Sequence, residues 1–205
     1  MQFFPRRCIR YSMKIIEYDR DAAVAYARQW AFARNPQYYD FSRIGGECTN
    51  FASQCLFAGC GVMNFTPTYG WYYLSAEDRA PAWAGVNEFF AFLTEQPEFA
   101  QANGGIGPYG VQAINRRGVE VGDFVQLANE GGVFYHSLII SELRPNEVLV
   151  CAQSDDALDR PLSSYTYASL RVLHVLGARL SVDNDLLAKN VFDAISLPMH
   201  RQGEI

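Results

Sequence analysis

The period of the hydrophobic pattern changes part-way along this chain, and that change restricts the folds open to it. Up to about residue 93, apolar side chains recur at helical spacing; from Val119 onward they run as short strand-like stretches. In the first part, Asp19 to Ala33 carries Val24, Tyr26, Ala27, Trp30 and Ala31 as an apolar stripe. Asp19 or Asp21 can cap this helix, and Arg34-Asn35-Pro36 stops it. A second helix is expected from Cys48 to Ala58, entered through Gly45-Gly46-Glu47 and ended by Gly59. Phe51, Cys55 and Ala58 share one face of it, with Ala52 and Leu56 alongside, so it should be buried. A third helix fits Val86 to Leu93, while residues 60–83 and the Gly-rich run from Asn103 to Gly110 read as loops. In the second part, Phe124–Leu127, Val133–Ile140, Val148–Ala152 and Leu170–Leu176 read as strands, with a tight turn at Pro145-Asn146. Helices followed by an antiparallel sheet favour an α+β fold.

A length of 205 residues fits one domain with short appendages. We divide it into an N-terminal extension (1–17), a domain (18–180) and a C-terminal tail (181–205). In that tail Leu186, Leu187, Val191, Ala194 and Ile195 are spaced as an amphipathic helix, suited to the body of the protein or a second copy. Residues 1–12 read as a loose extension or, equally, an ordered arm ahead of Met13, whose successors Lys14-Ile15-Ile16 suit a strand or a helix lead-in. The opening lacks the apolar core of a secretory signal, and no run of about 20 apolar residues follows, so a cytoplasmic protein without a membrane span is expected. The net charge of −5, without a Lys/Arg run, argues against neutralising nucleic-acid phosphates. The five cysteines (8, 48, 55, 60 and 151) form no CxxC pair, so neither a zinc site nor a disulfide framework is expected.

One of those cysteines stands apart. Cys48 falls at the start of the buried helix, where unpaired backbone N–H groups and the helix dipole favour a thiolate and face an oxyanion at an attacked carbonyl. The base is found by elimination among three histidines. His174 sits inside a strand and His200 in the tail; His136 opens the apolar strand His-Ser-Leu-Ile-Ile after a Gly-Gly loop, where an imidazole is fixed yet reachable. A third group normally orients such an imidazole. A two-residue turn at Pro145-Asn146 with unbroken antiparallel pairing sets Asp155 opposite His136; a slip or bulge brings Gln153, Ser154 or Asp156 there instead. Asp155 is the first choice and Gln153 the second. Cys55, Cys60 and Cys151 read as core.

The run Gly45-Gly46-Glu47-Cys48-Thr49-Asn50-Phe51-Ala52-Ser53-Gln54 resembles the GGDCTNFVSQ signature of the putative amidase domain family, bacterial proteins related to the NlpC/P60 and CHAP peptidases. The likeness extends from about Tyr18 to Leu180. It takes in Arg34-Asn35-Pro36, Gly70-Trp71-Tyr72-Tyr73, Gly122-Asp123-Phe124-Val125-Gln126-Leu127, His136-Ser137, Ser154-Asp155-Asp156 and Arg160-Pro161-Leu162. It implies a papain-like, NlpC/P60-like fold with N-terminal helices packed on an antiparallel sheet, and a Cys48–His136 pair. It also implies cofactor-free hydrolysis of a peptide or other amide, such as a cell-wall peptide. Position 47 is Glu where the signature has Asp, and Gln153 stands where the family pattern often has His, which leaves the third catalytic residue open. Tyr38, Tyr39, Trp71 and Tyr72 are candidates for substrate contact, or equally for packing. The alternative to a hydrolase is a catalytically idle module of the same fold that binds peptide or peptidoglycan-like ligands.

Overall fold

The structure, a computed structural model, describes residues 13–114 and 118–181. The elements, in chain order, are β1 (Met13–Ile16), α1 (Arg20–Trp30), α2 (Glu47–Cys60), α3 (Pro81–Ala84), α4 (Val86–Leu93) and α5 (Pro97–Asn103). They continue with β2 (Gly107–Ala113), β3 (Phe124–Ala128), β4 (Phe134–Arg144), β5 (Glu147–Ala152), β6 (Ala157–Pro161) and β7 (Ser169–Ser181). The fold is α+β: a curled, seven-stranded antiparallel sheet with the helices against it. The expected tail helix at Asp183–Leu197, with His200, and the arm containing Cys8 lie outside the described residues.

The strands run in the order β1-β7-β3-β4-β5-β6, with β2 also on β7. The 13-residue β7 makes this possible. Ser169 to Leu173 pair with β3, and Ala178 to Ser181 with β1. Val172 and Leu173 pair with both β3 and β2, so β2 lies on the opposite side of β7. Several elements depart from the sequence reading: α3 begins inside the 60–83 stretch read as loop, and α5 and β6 carry no assignment there. Met13–Ile16, assigned there to the extension, is an edge strand of the sheet. Gly107–Ala113, read as loop because of its glycines, is a strand; Gly110 fits because a Cβ there would stand 2.3 Å from the His174 carbonyl oxygen. The second helix runs through Gly59 and ends at Gly61, in the left-handed conformation at φ +64°.

Period-two alternation sorts the strand residues onto two faces. Phe124, Ile139, Cys151 and Leu173 face the helices and join Phe51, Cys55, Leu56, Trp71, Trp83 and Phe89 in the main core. Val125, Leu127, Leu138, Ile140, Val150 and Ala152 face the other way, under Tyr165 and Tyr167. Helix α1 is capped by Asp19, whose carboxylate accepts from the Ala22 N–H at 2.9 Å. Its small residues Ala23 and Ala27 are fully buried in that core with α2.

Asp123 ties helix, strand and loop together. Its fully buried carboxylate accepts hydrogen bonds from Arg20 (2.7 Å), the Glu120 N–H (2.8 Å) and the Val175 N–H (3.1 Å), and pairs with His174 Nδ1 (2.8 Å). His174 is thus a strand histidine fastened to a structural carboxylate, as its apolar neighbours suggest.

Candidate active site

Helix α2 is buried on nearly every side, yet Glu47, Thr49, Asn50, Ser53 and Gln54 are polar, so each polar group needs a partner. Each finds one. The Glu47 carboxylate accepts from the Phe41 N–H at 2.6 Å and from Asn50, and lies 3.7 Å from Arg34. Asn50 accepts from the Trp83 indole at 2.8 Å, and Ser53 from the Trp71 indole at 2.9 Å. Gln54 accepts from the Tyr26 hydroxyl at 2.7 Å, and Thr49 meets Ser137 at 3.0 Å. These bonds fix the helix in rotation and depth, and so fix where its second residue, Cys48, points.

Gly46 caps the helix at φ +100° and offers no side-chain acceptor to the first-turn N–H groups. A Cβ on it would stand 3.0 Å from the Ala84 carbonyl oxygen. The glycine therefore serves both the turn and the close approach of α3.

On the sheet side, the β4–β5 ladder begins as expected at the Pro145-Asn146 turn, with Arg144 opposite Glu147. It slips by one residue at Ser141 and ends at Ile139↔Cys151. The unbroken register that would set Asp155 opposite His136 is thereby lost. Beyond Ile139, the backbone of Tyr135 to Ser137 has no β5 partner, and α2 fills the place. Cys48 Sγ lies 3.9 Å from the Tyr135 carbonyl oxygen, and the Ser137 backbone also bonds the sulfur.

Cys48 and His136 line one cleft of about 490 Å³, together with Gly45, Gly46, Asp155, Arg160 and Tyr165. The thiol is 5% exposed and the imidazole 6%. Burial pushes the Cys48 thiol up from its ordinary value, against the pull of the surrounding hydrogen bonds. This corrects the expectation of a low thiol pKa at the helix start: desolvation outweighs the N-terminal N–H groups. Burial likewise lowers His136, the Asp155 carboxylate raises it, and the Arg160 guanidinium lowers it again. Burial thus favours the neutral form of each group. His136 Nε2 is buried without a hydrogen-bond partner among the described residues.

Asp155 reaches the cleft by a different route from the one its register suggested. Its chain leaves β5 through Ser154, a residue at φ +81°, and its carboxylate is held by Arg160 at 2.6 Å. Gln153 turns away: its amide donates to the carbonyls of Trp30 (2.7 Å) and Ala33 (2.8 Å), closing the C-terminal end of α1. The four aromatic candidates lie off the cleft wall. Trp71 is fully buried against Trp83 and Phe92, and Tyr38 stacks on Trp83. Tyr39 packs edge-on against Phe41, and Tyr72 packs against Phe65.

Tyr135, Arg160, Ser164, Tyr165 and Thr166 also line the cleft and were missed as site candidates. Tyr165 lies with its ring 6.0 Å from that of His136, and Arg160 covers the Tyr165 ring at 4.0 Å. The Arg160-Pro161-Leu162 block pointed to Arg160; no sequence signal pointed to Tyr165.

A family model described as putative amidase domain matches residues 17–176. The chain belongs to that family. A relative in Bacillus subtilis (strain 168), the uncharacterized protein YhbB, is 30% identical over 147 residues, covering 70% of this chain and 44% of YhbB. The amidase-domain chain thus spans less than half the length of that relative. No solved structure matches it significantly. Among the described residues, no helix is long and apolar enough to cross a membrane, and no cluster of metal-binding side chains occurs.

Proposed function

We propose that this protein is a cysteine-dependent amide hydrolase of papain-like architecture, acting on a peptide or related amide such as a cell-wall-type peptide. One observation carries the reading: a cysteine at the uncapped start of a buried helix and a strand histidine line the same cleft. From the neutral form of each group, which burial favours, His136 takes the thiol proton as Cys48 Sγ attacks the amide carbonyl. The first-turn N–H groups of α2, free of a side-chain cap, face the oxyanion. The imidazolium then protonates the departing amine, and water, activated by the same imidazole, hydrolyses the thioester. Asp155 is the group that favours the imidazolium electrostatically. Asp155 suits this role better than Gln153, whose amide is committed to α1.

A second reading has support of its own. A thiol pushed up by burial and an imidazole nitrogen without a partner suit an idle binding module for peptide or peptidoglycan-like ligands. Intact-mass spectrometry of the protein mixed with a panel of peptide amides separates the two. An acyl adduct on Cys48 that turns over, and that is absent in His136→Ala, supports the hydrolase. Saturable peptide binding with no adduct and no product supports the module.

A further inference from the structure

Behind the thiol, away from the cleft, four polar side chains continue in a line through the core. Cys48 Sγ contacts Thr49 Oγ1 at 3.8 Å, and Thr49 Oγ1 lies 3.0 Å from Ser137 Oγ. Gln126 Nε2 is 3.1 Å from Ser137 Oγ, and Gln126 Oε1 is 2.7 Å from Arg171 Nε. The line crosses from α2 through β4 and β3 to β7. Thr49, Ser137 and Gln126 are all fully buried.

Chemistry fixes its direction at the Arg171 end, and pairing both hydroxyl protons selects it at the Cys48 end. A guanidinium only donates, so Gln126 Oε1 accepts from Arg171. The other end of the same amide donates to the Val86 carbonyl at 2.8 Å, an atom that only accepts. The amide is thus oriented from both sides, and its second N–H donates to Ser137 Oγ. The Ser137 hydroxyl proton is left for Thr49, and the Thr49 hydroxyl proton for the sulfur. Every donor in the line points toward Cys48.

The far end carries a charge that meets aromatic rings instead of a carboxylate among the described residues. The Arg171 guanidinium lies 3.6 Å from the ring centre of Phe90 and 3.8 Å from that of Phe134. Its other polar partner is the Asn87 side-chain oxygen at 3.1 Å, and it makes no ion pair among the described residues.

We propose that Arg171, Gln126, Ser137 and Thr49 form a polarised hydrogen-bond relay that stabilises negative charge on Cys48 Sγ. This rests on Cys48 being the nucleophile. When the S–H bond breaks, its proton passes to the His136 imidazole and the electron pair stays on sulfur, where the Thr49 hydroxyl faces it. Aligned bonds in a dry interior reinforce one another, so the Arg171 charge is felt through them. None of the four touches substrate; they are positioning residues.

The test is the pH dependence of iodoacetamide alkylation at Cys48, read by mass spectrometry on the full chain. The other ionisable groups around the thiol are His136 and Tyr135 on β4, Asp155, Arg160 and Tyr165 across the cleft, and Glu47 with Arg34 beside the helix start. They are common to all variants. Thr49→Val, which keeps the shape and removes the donor, should raise the alkylation midpoint by about one pH unit, while Thr49→Ser keeps the wild-type profile. Arg171→Met should move it the same way by less. Should Thr49→Val not fold, Ser137→Ala removes the donor to Thr49 without adding bulk and should also raise the midpoint. Identical profiles for wild type, Thr49→Val and Ser137→Ala overturn the relay, as does an equal shift in Thr49→Val and Thr49→Ser. The relay stands or falls on this titration; the hydrolase reading stands or falls on the acyl adduct, so the two can fail separately.

Discussion

Cys48 Sγ lies 3.9 Å from the carbonyl oxygen of Tyr135, the residue immediately before His136 in the chain. The start of a buried helix and the start of a sheet strand meet there because β5 has already left β4 at Ile139. Removing either reactive group should stop the chemistry and spare the fold, since the sulfur makes only long, weak bonds to β4 and His136 Nε2 has no partner among the described residues. Cys48→Ala should abolish amide cleavage, and His136→Ala should lower it by roughly 10²–10⁴-fold. Product release, measured beside unchanged far-ultraviolet circular dichroism, checks both.

The pH behaviour follows from the lowered His136 and the raised Cys48. Below about pH 6.5 an unfolded histidine takes up a proton that the folded imidazole resists, so His136 should cost stability as pH falls through that value. The loss should level off once the pH passes the lower, folded value. His136→Gln should flatten this part of a stability profile measured between pH 8 and pH 5. On the alkaline side, Cys48 alkylation in His136→Ala should still be rising above about pH 8.5, where a free thiol is half ionised.

Gln153 and Asp155 should separate cleanly. Gln153→Ala leaves the Trp30 and Ala33 carbonyls without their donor and should cost about 2–3 kcal/mol in urea denaturation, with the His136 titration unmoved. Asp155→Asn removes the carboxylate that raises His136, so the imidazole should titrate at still lower pH by NMR, and cleavage should fall roughly tenfold.

At Gly59 helix propensity and packing oppose each other. Alanine gains about 1 kcal/mol in a helix interior. Its Cβ would stand 2.3 Å from the Tyr18 ring and 2.7 Å from the Asp19 carbonyl oxygen. That backbone cannot yield easily, because the Asp19 N–H donates to the Gly59 carbonyl at 2.8 Å. Gly59→Ala should therefore be destabilising by about 1–3 kcal/mol, read from the denaturation midpoint.

Asp123→Asn tests the buried knot. An amide cannot accept from Arg20, two backbone N–H groups and His174 at once, and it leaves the Arg20 guanidinium without its buried counter-charge. The cost should be about 3–5 kcal/mol in chemical denaturation.

Much of the site was legible in the chain itself, because its signals are local. Gly45-Gly46 ahead of a face carrying Phe51, Ala52, Cys55 and Leu56 announces a helix that starts tightly and is buried. Elimination among three histidines leaves His136. The helix Val86–Leu93 and the turn at Pro145-Asn146 follow from periodicity and turn chemistry over a few residues. What depends on distant partners was not legible. Gly59 looks like a helix stop, and only the Tyr18 ring against it reveals a packing glycine. Trp71 looks like a cleft aromatic until the Ser53 hydroxyl and Trp83 enclose it.

The sequence by itself determined the α+β class, the helix bearing Cys48 and the strand bearing His136, since period and capping act within one element. Tertiary structure decided the rest. A one-residue slip at Ser141 broke the register that would have set Asp155 opposite His136, and the loop after β5 brought Asp155 to the cleft beside Arg160 instead. Burial likewise reversed the direction expected for the Cys48 thiol. Desolvation depends on every neighbour that excludes water, and only the folded chain supplies those neighbours.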